Sequence, residues 1–446
     1  FIKGEEAMNT YKSILGAAAV SALLATAAQA QVTVLGWPGG PEEEALRAVT
    51  DIYNAREDVA DKDKIELLFF SRDGFFDKLQ ADLAAGSDAF DVNLLATYSI
   101  GRYAPYLETI ALSDDAPSVF GDAVLSTMQF EGAQYGVPTD LSMHFLFFRQ
   151  DLMDELMGDD AAKARYSEIA AEHMGQPMQP VMPADMTWDD FAATALYFSR
   201  SVNPDSPVRY GTVLQMKNLL FNMMVFHSLP RAYGADWTDA DGNITVDSAA
   251  YRKALELYKM LYDAGATPAD SLSYEFPEAN AAFTSGQVAM MVQWNGAAGA
   301  LTLEENAPMT AAKTASVAPP EGPEGRFTHI HGLGLGLNKA AKNPDGARAF
   351  LKWLSTEDTA VAYAKAGGAP GLTGTAVEAV ADTRPDLVPL GEYASSYGFV
   401  MNGATSAGAL SVYELQAKEF TGYWGETQTL DEALANATAG MAELLK

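Results

Sequence analysis

The sequence predicts an α/β fold large enough for two or more domains, and three observations support this prediction. The chain has 446 residues, and its composition, 48% hydrophobic and 20% charged, is that of folded globular proteins. Short apolar runs alternate with amphipathic helical segments. Aromatic and amide side chains recur where the predicted strands end. In open α/β sheets, ligands bind outside these strand ends.

The first domain opens with repeated strand and helix units. Apolar runs at Val32–Gly36, Ile65–Phe70 and Phe90–Leu95 predict three short strands. The segments between them, Glu42–Asn54 and Phe75–Ala85, have the apolar spacing of helices, and three glutamates begin the first of these. This βαβαβ order predicts a parallel sheet with helices on both faces.

Later segments continue the pattern. Thr187 and Asp190 have the spacing of a capping box at the start of a helix, and Gln215–His227 is a Met- and Phe-rich helix that we assign to the core. The glycines of Ile330–Leu337 alternate at period two, which predicts a strand in close backbone contact, because no GxGxxG motif leads from a strand into a helix. Pro344–Leu354 is predicted to be a helix.

The segment 283–299 joins the end of a helix to a strand. Gly286 stands where the helix should stop, and Val288–Val292 is an apolar run typical of a buried strand. Trp294 and Asn295 follow that strand. A flat aromatic surface beside fixed amides suits a sugar ring, and the alternative is that the tryptophan is a core residue at a strand end.

The N-terminus has the pattern of a secretory signal peptide. Met8–Lys12 is a short basic region, Ile14–Ala25 is an apolar segment, and Ala28–Ala30 is a cleavage motif that would leave Gln31 as the mature start. Residues 1–7 do not fit the pattern. We therefore expect export through the Sec pathway to the periplasm; a genuine N-terminal helix is the alternative. Because the chain has no cysteine, we expect neither a lipid anchor nor disulfides.

The net charge limits the classes of molecule that the protein is expected to bind. The 59 acidic residues outnumber the 29 basic ones, which gives a formal net charge of -30. A surface this negative disfavours nucleic acids and anionic membranes. We expect no direct membrane insertion, because no later segment is long and apolar enough to span a bilayer. A multiply anionic ligand would need a local basic pocket.

Sequence motifs of catalysis are missing. The chain contains no GxSxG, HExxH or P-loop motif, and its acidic residues are too numerous for any one pair to indicate a glycosidase. His329 and His331 would share one face of a strand, either as a metal pair or as two structural histidines. We expect no enzymatic activity, no cofactor and no metal site.

The candidate ligand-binding residues lie at or near predicted strand ends. From this pattern they are Trp37, Arg72, Asp73, Thr97, Tyr98, Asp140, Trp294 and Asn295. Each has a structural alternative, such as covering a helix, pairing a charge or forming a turn. His144 is equally compatible with a core position and with the site, because an apolar run follows it directly.

Several segments together resemble a known family. They are Phe75–Gly86 with Phe90–Val92, Tyr135–Pro138 with Phe148–Leu152, Thr187–Phe191, Phe283–Trp294 and Pro344–Leu354. Their order and spacing resemble family 1 of the extracellular solute-binding proteins. These are the sugar-binding components of bacterial ABC importers and are similar to maltose-binding protein. The resemblance covers nearly the whole mature chain, and it is weakest at 158–186 and after about Thr375.

The resemblance implies a type II periplasmic-binding-protein clamshell, in which each lobe is a mostly parallel sheet flanked by helices. Residues 1–30 would be the leader and signal peptide. The N-terminal lobe would comprise residues 31–140 and 316–353, and the C-terminal lobe residues 141–315 and 354–446. Three hinge crossings are expected, near Thr139–Ser142, Thr314–Val317 and Trp353–Thr356.

The resemblance also implies a ligand and a partner. It adds Gly39, His331 and Gly368 to the candidate residues. A mono- or oligosaccharide or a polyol would bind in the cleft between the lobes, and the closed protein, a monomer, would present it to the permease subunits of an ABC transporter. Two alternatives stay open: a binding protein for a polyamine or glycerol phosphate, and a secreted glycoside-acting enzyme.

Overall fold

The computed structural model describes residues 31–36, 38, 41–71 and 75–446. The strands are β1 Val32–Gly36, β2 Ile65–Phe69, β3 Val92–Ala96, β4 Leu107–Glu108, β5 Gln129–Phe130, β6 Ala133–Gln134, β7 Gly136–Ser142, β8 His144–Arg149, β9 Tyr210–Thr212, β10 Val288–Trp294, β11 Thr314–Val317, β12 Glu321–Gly322, β13 Gly325–Arg326, β14 Thr328–His329, β15 His331–Asn338 and β16 Gly398–Phe399. The helices are α1 Pro41–Asn54, α2 Phe75–Ala84, α3 Ile100–Tyr103, α4 Ala116–Ser126, α5 Gln150–Gly158, α6 Asp160–His173, α7 Trp188–Tyr197, α8 Leu220–Phe226, α9 Ser228–Ala232, α10 Ala249–Asp263, α11 Phe276–Thr284, α12 Ala298–Thr302, α13 Pro344–Leu354, α14 Glu357–Lys365, α15 Gly374–Glu378, α16 Val388–Tyr397, α17 Ala409–Trp424 and α18 Leu430–Leu444.

The first lobe is built on a six-stranded sheet. Its strand order is β2-β1-β3-β15-β4, and β7 also pairs with β15. The predicted βαβαβ unit is present, because β1 runs parallel to both β2 and β3 and is connected to them through α1 and α2. Buried side chains of these strands pack against α1, α2 and α13 in one apolar core.

The second lobe is built on a four-stranded sheet of order β11-β8-β10-β9. Its larger core includes three fully buried tryptophans, Trp188, Trp237 and Trp424, which come from α7, the loop after α9 and α17. The α17–α18 helix pair packs against α8 and α10 in this core. The chain therefore builds two α/β lobes, each around its own sheet, as expected of a clamshell.

The prediction that each sheet is mostly parallel is wrong. In the first sheet, β15 is antiparallel to β3, β4 and β7. In the second sheet, β8 is antiparallel to both β10 and β11, and only the β10–β9 pair is parallel. The antiparallel pairs arise where the chain leaves one lobe and returns from the other, which a repeated strand–helix pattern within a lobe cannot show.

Strand pairing locates the passages between the sheets. The first lies at Met143, because β7 ends in the first sheet at Ser142 and β8 begins in the second sheet at His144. The expected second crossing, Thr314–Val317, is paired with β8 along its whole length, and the chain rejoins the first sheet only at β15. Beyond the expected third crossing, α14 still packs against α1. The sequence limits of the two lobes stay a prediction.

Several local predictions are confirmed. Thr187 caps α7 in a reciprocal box with Asp190, and Gly286 follows α11 with a φ of 75°. The strand predicted at Val288–Val292 continues to Trp294. The Met- and Phe-rich helix is shorter than predicted: α8 spans only Leu220–Phe226, because the residues before it bond elsewhere, as Gln215 does to the Gln293 side chain.

The predicted signal peptide lies outside the described residues. Within the described part of the chain, no helix combines the length and the apolar character required to cross a bilayer.

Candidate ligand-binding cleft

A chamber of about 210 Å³ lies between the two lobes. The first lobe contributes side chains from the start of α1, from the turn after β3 and from the adjoining ends of β7 and β15. The second lobe contributes α8 and the end of β10. The described residues that line the chamber are Glu42, Tyr98, Ser142, Phe221, Met224, Trp294, His331, Gly332 and Leu333. Strand ends therefore converge on this space, as the sequence predicted for a ligand site.

Aromatic rings form much of the chamber wall. Trp294 is half-buried at the end of β10, and its ring centroid lies 4.4 Å from that of His144 and 5.7 Å from that of His331. Tyr98 approaches from the first lobe, with its ring 6.0 Å from His331 and 6.5 Å from Phe221. Flat apolar faces from both lobes thus border one space, which is the arrangement that stacks on the C–H faces of a sugar or polyol.

The polar groups of the chamber are few. Among its described lining residues, Glu42 is the only carboxylate, and Ser142 and His331 supply a hydroxyl and an imidazole. His331 and Ser142 are paired across β15 and β7, so the sheet fixes their relative positions. The described lining contains no lysine and no arginine. This composition suits hydroxyl groups better than a phosphate or a carboxylate.

Four of the five histidines cluster at one wall of the chamber: His331 lines it, and His144, His227 and His329 are not part of the described lining. His331 Nε2 lies 3.1 Å from His329 Nδ1, and His329 Nε2 lies 3.2 Å from the Tyr413 hydroxyl. His227 Nε2 lies 2.8 Å from Gln416 Oε1, and its ring is 5.4 Å from that of His329. The two strand histidines thus hydrogen-bond to each other. In the described residues, no group of three or more His, Asp or Glu side chains is placed to hold a metal ion.

Burial keeps this cluster uncharged. It lowers the pKa of His144 and His227 to about 3, and that of His329 and His331 well below the ordinary value. The cause is the desolvation of a charged imidazole in an apolar surrounding, reinforced by the neighbouring histidines. At neutral pH the chamber wall therefore gains no positive charge from its histidine.

His144 supports Trp294 from behind. It faces Trp294 across the β8–β10 ladder, is fully buried, and meets the indole edge to face. Neither of its ring nitrogens has a hydrogen-bond partner among the described protein groups. The structure places His144 one layer away from the chamber, where it limits the positions that the indole can adopt.

Thr97 and Asn295 connect the chamber to the crossing segments. Thr97 Oγ1 accepts a hydrogen bond from Gly332 N at 2.7 Å. Asn295 Oδ1 accepts one from Met143 N at 2.9 Å, and its amide nitrogen donates to Leu141 O at 3.3 Å. Both side chains are engaged with backbone and do not line the chamber, so a direct contact with ligand stays a prediction.

Asp140 and Gly368 lie farther from the chamber. The Asp140 carboxylate accepts hydrogen bonds from the Tyr363 hydroxyl at 2.5 Å and from Ala369 N at 2.8 Å. Burial raises the pKa of Asp140 to about 6, although both hydrogen bonds oppose this rise. Gly368 packs on the Tyr363 ring, and its carbonyl accepts a hydrogen bond from Arg384 at 2.8 Å. Here the two residues fasten the loop after α14 to β7; their role in binding stays a prediction.

The structure therefore brings together three of the predicted residues, Tyr98, Trp294 and His331. Four others, Trp37, Gly39, Arg72 and Asp73, lie outside the described residues. Sequence analysis missed the other described lining residues, which are Glu42, Ser142, Phe221, Met224, Gly332 and Leu333. Glu42 was missed because it was interpreted as one of the acidic residues that favour the start of a helix. Phe221 and Met224 were missed because they belong to a helix that was assigned to the core. The predicted helix Gln215–His227 places Phe221 at its middle, so the sequence held no signal for this residue, which the structure places in the first turn of α8.

Comparison with known proteins agrees with this fold. The model of the bacterial extracellular solute-binding protein family matches residues 42–361. The mannitol-binding protein of Pseudomonas aeruginosa is 24% identical over 290 residues, which are 63% of this chain and 59% of that protein. A probable amino-acid ABC transporter periplasmic-binding protein of Sinorhizobium fredii is 29% identical over 149 residues, 33% of this chain and 32% of that one.

The chain thus aligns with about three fifths or less of the length of these relatives. Among solved structures, maltose-bound MalE3 of T. maritima superimposes with a TM-score of 0.69 at 19% identity, covering 93% of this chain and all of that one (100%). The family and these neighbours are binding proteins rather than enzymes. Because the family model covers most of the sequence, we conclude that this chain belongs to the bacterial extracellular solute-binding protein family.

Proposed function

We propose that this protein captures a neutral polyhydroxylated solute, a sugar or a polyol, in the chamber between its lobes and delivers it to the permease of an ABC transporter. One observation supports this most strongly: Trp294 from one lobe and Tyr98 from the other border a small chamber whose polar groups are mostly uncharged. The ligand would stack on these rings and bind the closed form better than the open one, which shifts the lobe equilibrium.

The chemistry of the chamber weighs against charged ligands. A phosphate or an amino-acid carboxylate needs Arg, Lys or a helix N-terminus, and the described lining offers no Arg or Lys. The start of α1 borders the chamber, but its first turn carries Glu42, Glu43 and Glu44, whose charges oppose an anion there. A polyamine needs several carboxylates, and Glu42 is the one that the described lining provides. A glycosidase would need a pair of carboxylates flanking the scissile bond. The mannitol specificity in the name of one relative and the maltose bound to one neighbour favour a carbohydrate.

The remaining parts of the proposal follow from the family. We propose that the protein acts as a monomer in the periplasm, after removal of the signal peptide near Ala30 and Gln31. The permease subunits of the transporter would recognise its closed form. No catalytic step is involved, because capture and release are both reversible binding events.

Isothermal titration calorimetry tests the proposal. The purified protein is titrated with D-mannitol, D-glucose, maltose, spermidine, glycerol 3-phosphate and L-glutamate. We expect saturable binding of at least one of the first three and none of the others. Saturable binding of the charged compounds alone, with no response to any carbohydrate, would overturn the proposal.

A tryptophan variant then locates the site. Trp294→Ala should weaken binding of the best carbohydrate about tenfold, because a stacked aromatic ring contributes roughly 0.5–1.5 kcal/mol beyond its buried area. Trp353→Ala is the matched control, since Trp353 is also half-buried but packs on Tyr53 in the first lobe. Equal affinities of the Trp294 variant and the wild type would place the site elsewhere.

A further inference from the structure

A pair of aromatic rings divides the cleft between the lobes. Tyr98 follows β3 in the first lobe, and Phe221 stands at the start of α8 in the second. Their rings meet edge to face, with centroids 6.5 Å apart and planes at 72°. Both residues line the 210 Å³ chamber, and both also line a second space of about 560 Å³ on its other side. The pair is thus a partition between two chambers, and we call the 210 Å³ chamber the inner chamber and the 560 Å³ space the outer chamber.

The inner chamber is small. An apolar cavity of about 150 Å³ holds one benzene ring, and pockets for drug-sized ligands begin at about 300 Å³. A chamber of about 210 Å³ therefore has the volume of one six-carbon unit, and two linked units would extend beyond it. The neighbouring rings of Trp294 and His331, with centroids 5.7 Å apart, form its wall on one side.

The outer chamber has a different chemical character. Its walls include the charged side chains of Asp77, Arg102 and Glu414, and Arg102 is paired with Asp77 at 3.2 Å. The indole and the neutral imidazole of the inner chamber are missing from its described lining. These charged walls suit hydrated groups, whereas the stacking surface and the polar groups held by the sheet line the inner chamber.

The two lobes already touch beside the chambers whose volumes are given above. A β-carbon built on Gly101 of the first lobe would lie 2.2 Å from the backbone oxygen of Thr405 in the second lobe. Only a glycine permits such an approach between two backbones. This contact lies beside the outer chamber, which Arg102 and Ala407 line, so the two lobes already touch there and we take the inner chamber at this size.

We infer that the Tyr98–Phe221 partition sets the length of the ligand, so that the protein takes a single six-carbon polyhydroxyl unit and rejects linked units. The ligand class is a monosaccharide or an acyclic hexitol. This inference rests on the proposed function. Phe221 is the adjustable half of the partition, since 42% of its surface is exposed whereas Tyr98 is almost fully buried.

A chain-length series tests the inference. Wild-type protein is titrated calorimetrically with D-mannitol, D-glucose, maltose and maltotriose. We expect one of the two single units to bind at least 100-fold more tightly than maltose. Binding of maltose or maltotriose as tightly as any single unit would overturn the inference while leaving the proposed function intact. Binding of no carbohydrate would instead refute the proposed function.

Phe221→Ala tests the partition itself. Removing the ring joins the two chambers, so we expect the affinity for maltose to rise at least tenfold, with a smaller change for the single unit. Phe276→Ala is the matched control, because Phe276 is a similarly exposed phenylalanine (37%) of the second lobe that is not part of the chamber lining. A folded Phe221→Ala protein that gains no affinity for maltose would show that the partition does not set ligand length. If the variant does not fold, the chain-length series with the wild-type protein still tests whether linked units are rejected.

Discussion

Acid should destabilise this protein through its buried histidines, and His144 provides the clearest test. Burial lowers the pKa of the folded-state side chain from 6.5 to about 3. In the unfolded chain the imidazole returns to its ordinary pKa, so the unfolded state binds more protons as the pH falls below 6.5. The stability associated with neutral His144 is therefore complete above pH 6.5 and is lost progressively between pH 6.5 and about 3.

The magnitude follows from this difference in pKa. One pKa unit corresponds to about 1.4 kcal/mol, so at pH 5, which lies 1.5 units below 6.5, His144 costs the folded state about 2 kcal/mol. His144→Phe removes the titrating group and keeps a ring of similar shape against Trp294. We expect the loss of unfolding free energy between pH 7 and pH 5 to be about 2 kcal/mol smaller in the variant than in the wild type.

Urea titrations of both proteins at pH 7 and pH 5 measure this difference. A packing cost of the larger ring is present at both pH values and cancels. His173→Phe is the control for the same substitution outside the buried cluster, because His173 is exposed on α6. Identical pH dependence of His144→Phe and the wild type would refute the argument that this ring is held neutral by burial.

Two further predictions concern the lobes and the loop after α14. Gly101→Ala should hold the lobes apart and weaken carbohydrate binding at least tenfold, and small-angle X-ray scattering with ligand should show this variant to be more extended than the wild type. Gly296→Ala is the control, because its β-carbon would meet nothing within 4 Å and the affinity should not change. An unchanged affinity of the Gly101 variant would contradict the importance of the contact with Thr405. Tyr363→Phe should cost about 1.5–3 kcal/mol in urea unfolding at pH 7, because the buried Asp140 carboxylate loses a hydrogen-bond donor. This cost should shrink at pH 5, below the pKa of about 6 at which Asp140 protonates, and an equal cost at both pH values would argue against an ionised Asp140.

The sequence alone was sufficient for the local elements. Apolar runs bounded by turn residues located β1 and β2 to within a residue and β10 to within two, and a capping pattern located the start of α7. These features depend on neighbours along the chain, which periodicity and capping chemistry report directly. The order of several such segments also indicated the family, whose model matches residues 42–361. Tyr98 and Trp294 were selected because both follow predicted strands, and both line the chamber.

The tertiary structure decided what meets across the cleft. Phe221 belongs to a helix that sequence analysis assigned to the core, and only the packing of α8 at the edge of the second lobe places its ring against Tyr98. Asp140 follows the predicted pattern equally well, yet its carboxylate is engaged by Tyr363, a residue 223 positions away in sequence. Sheet direction was also mispredicted, because β15 returns from the other lobe and runs against β3. Such relations depend on contacts between distant segments, and a residue's neighbours along the chain do not specify them.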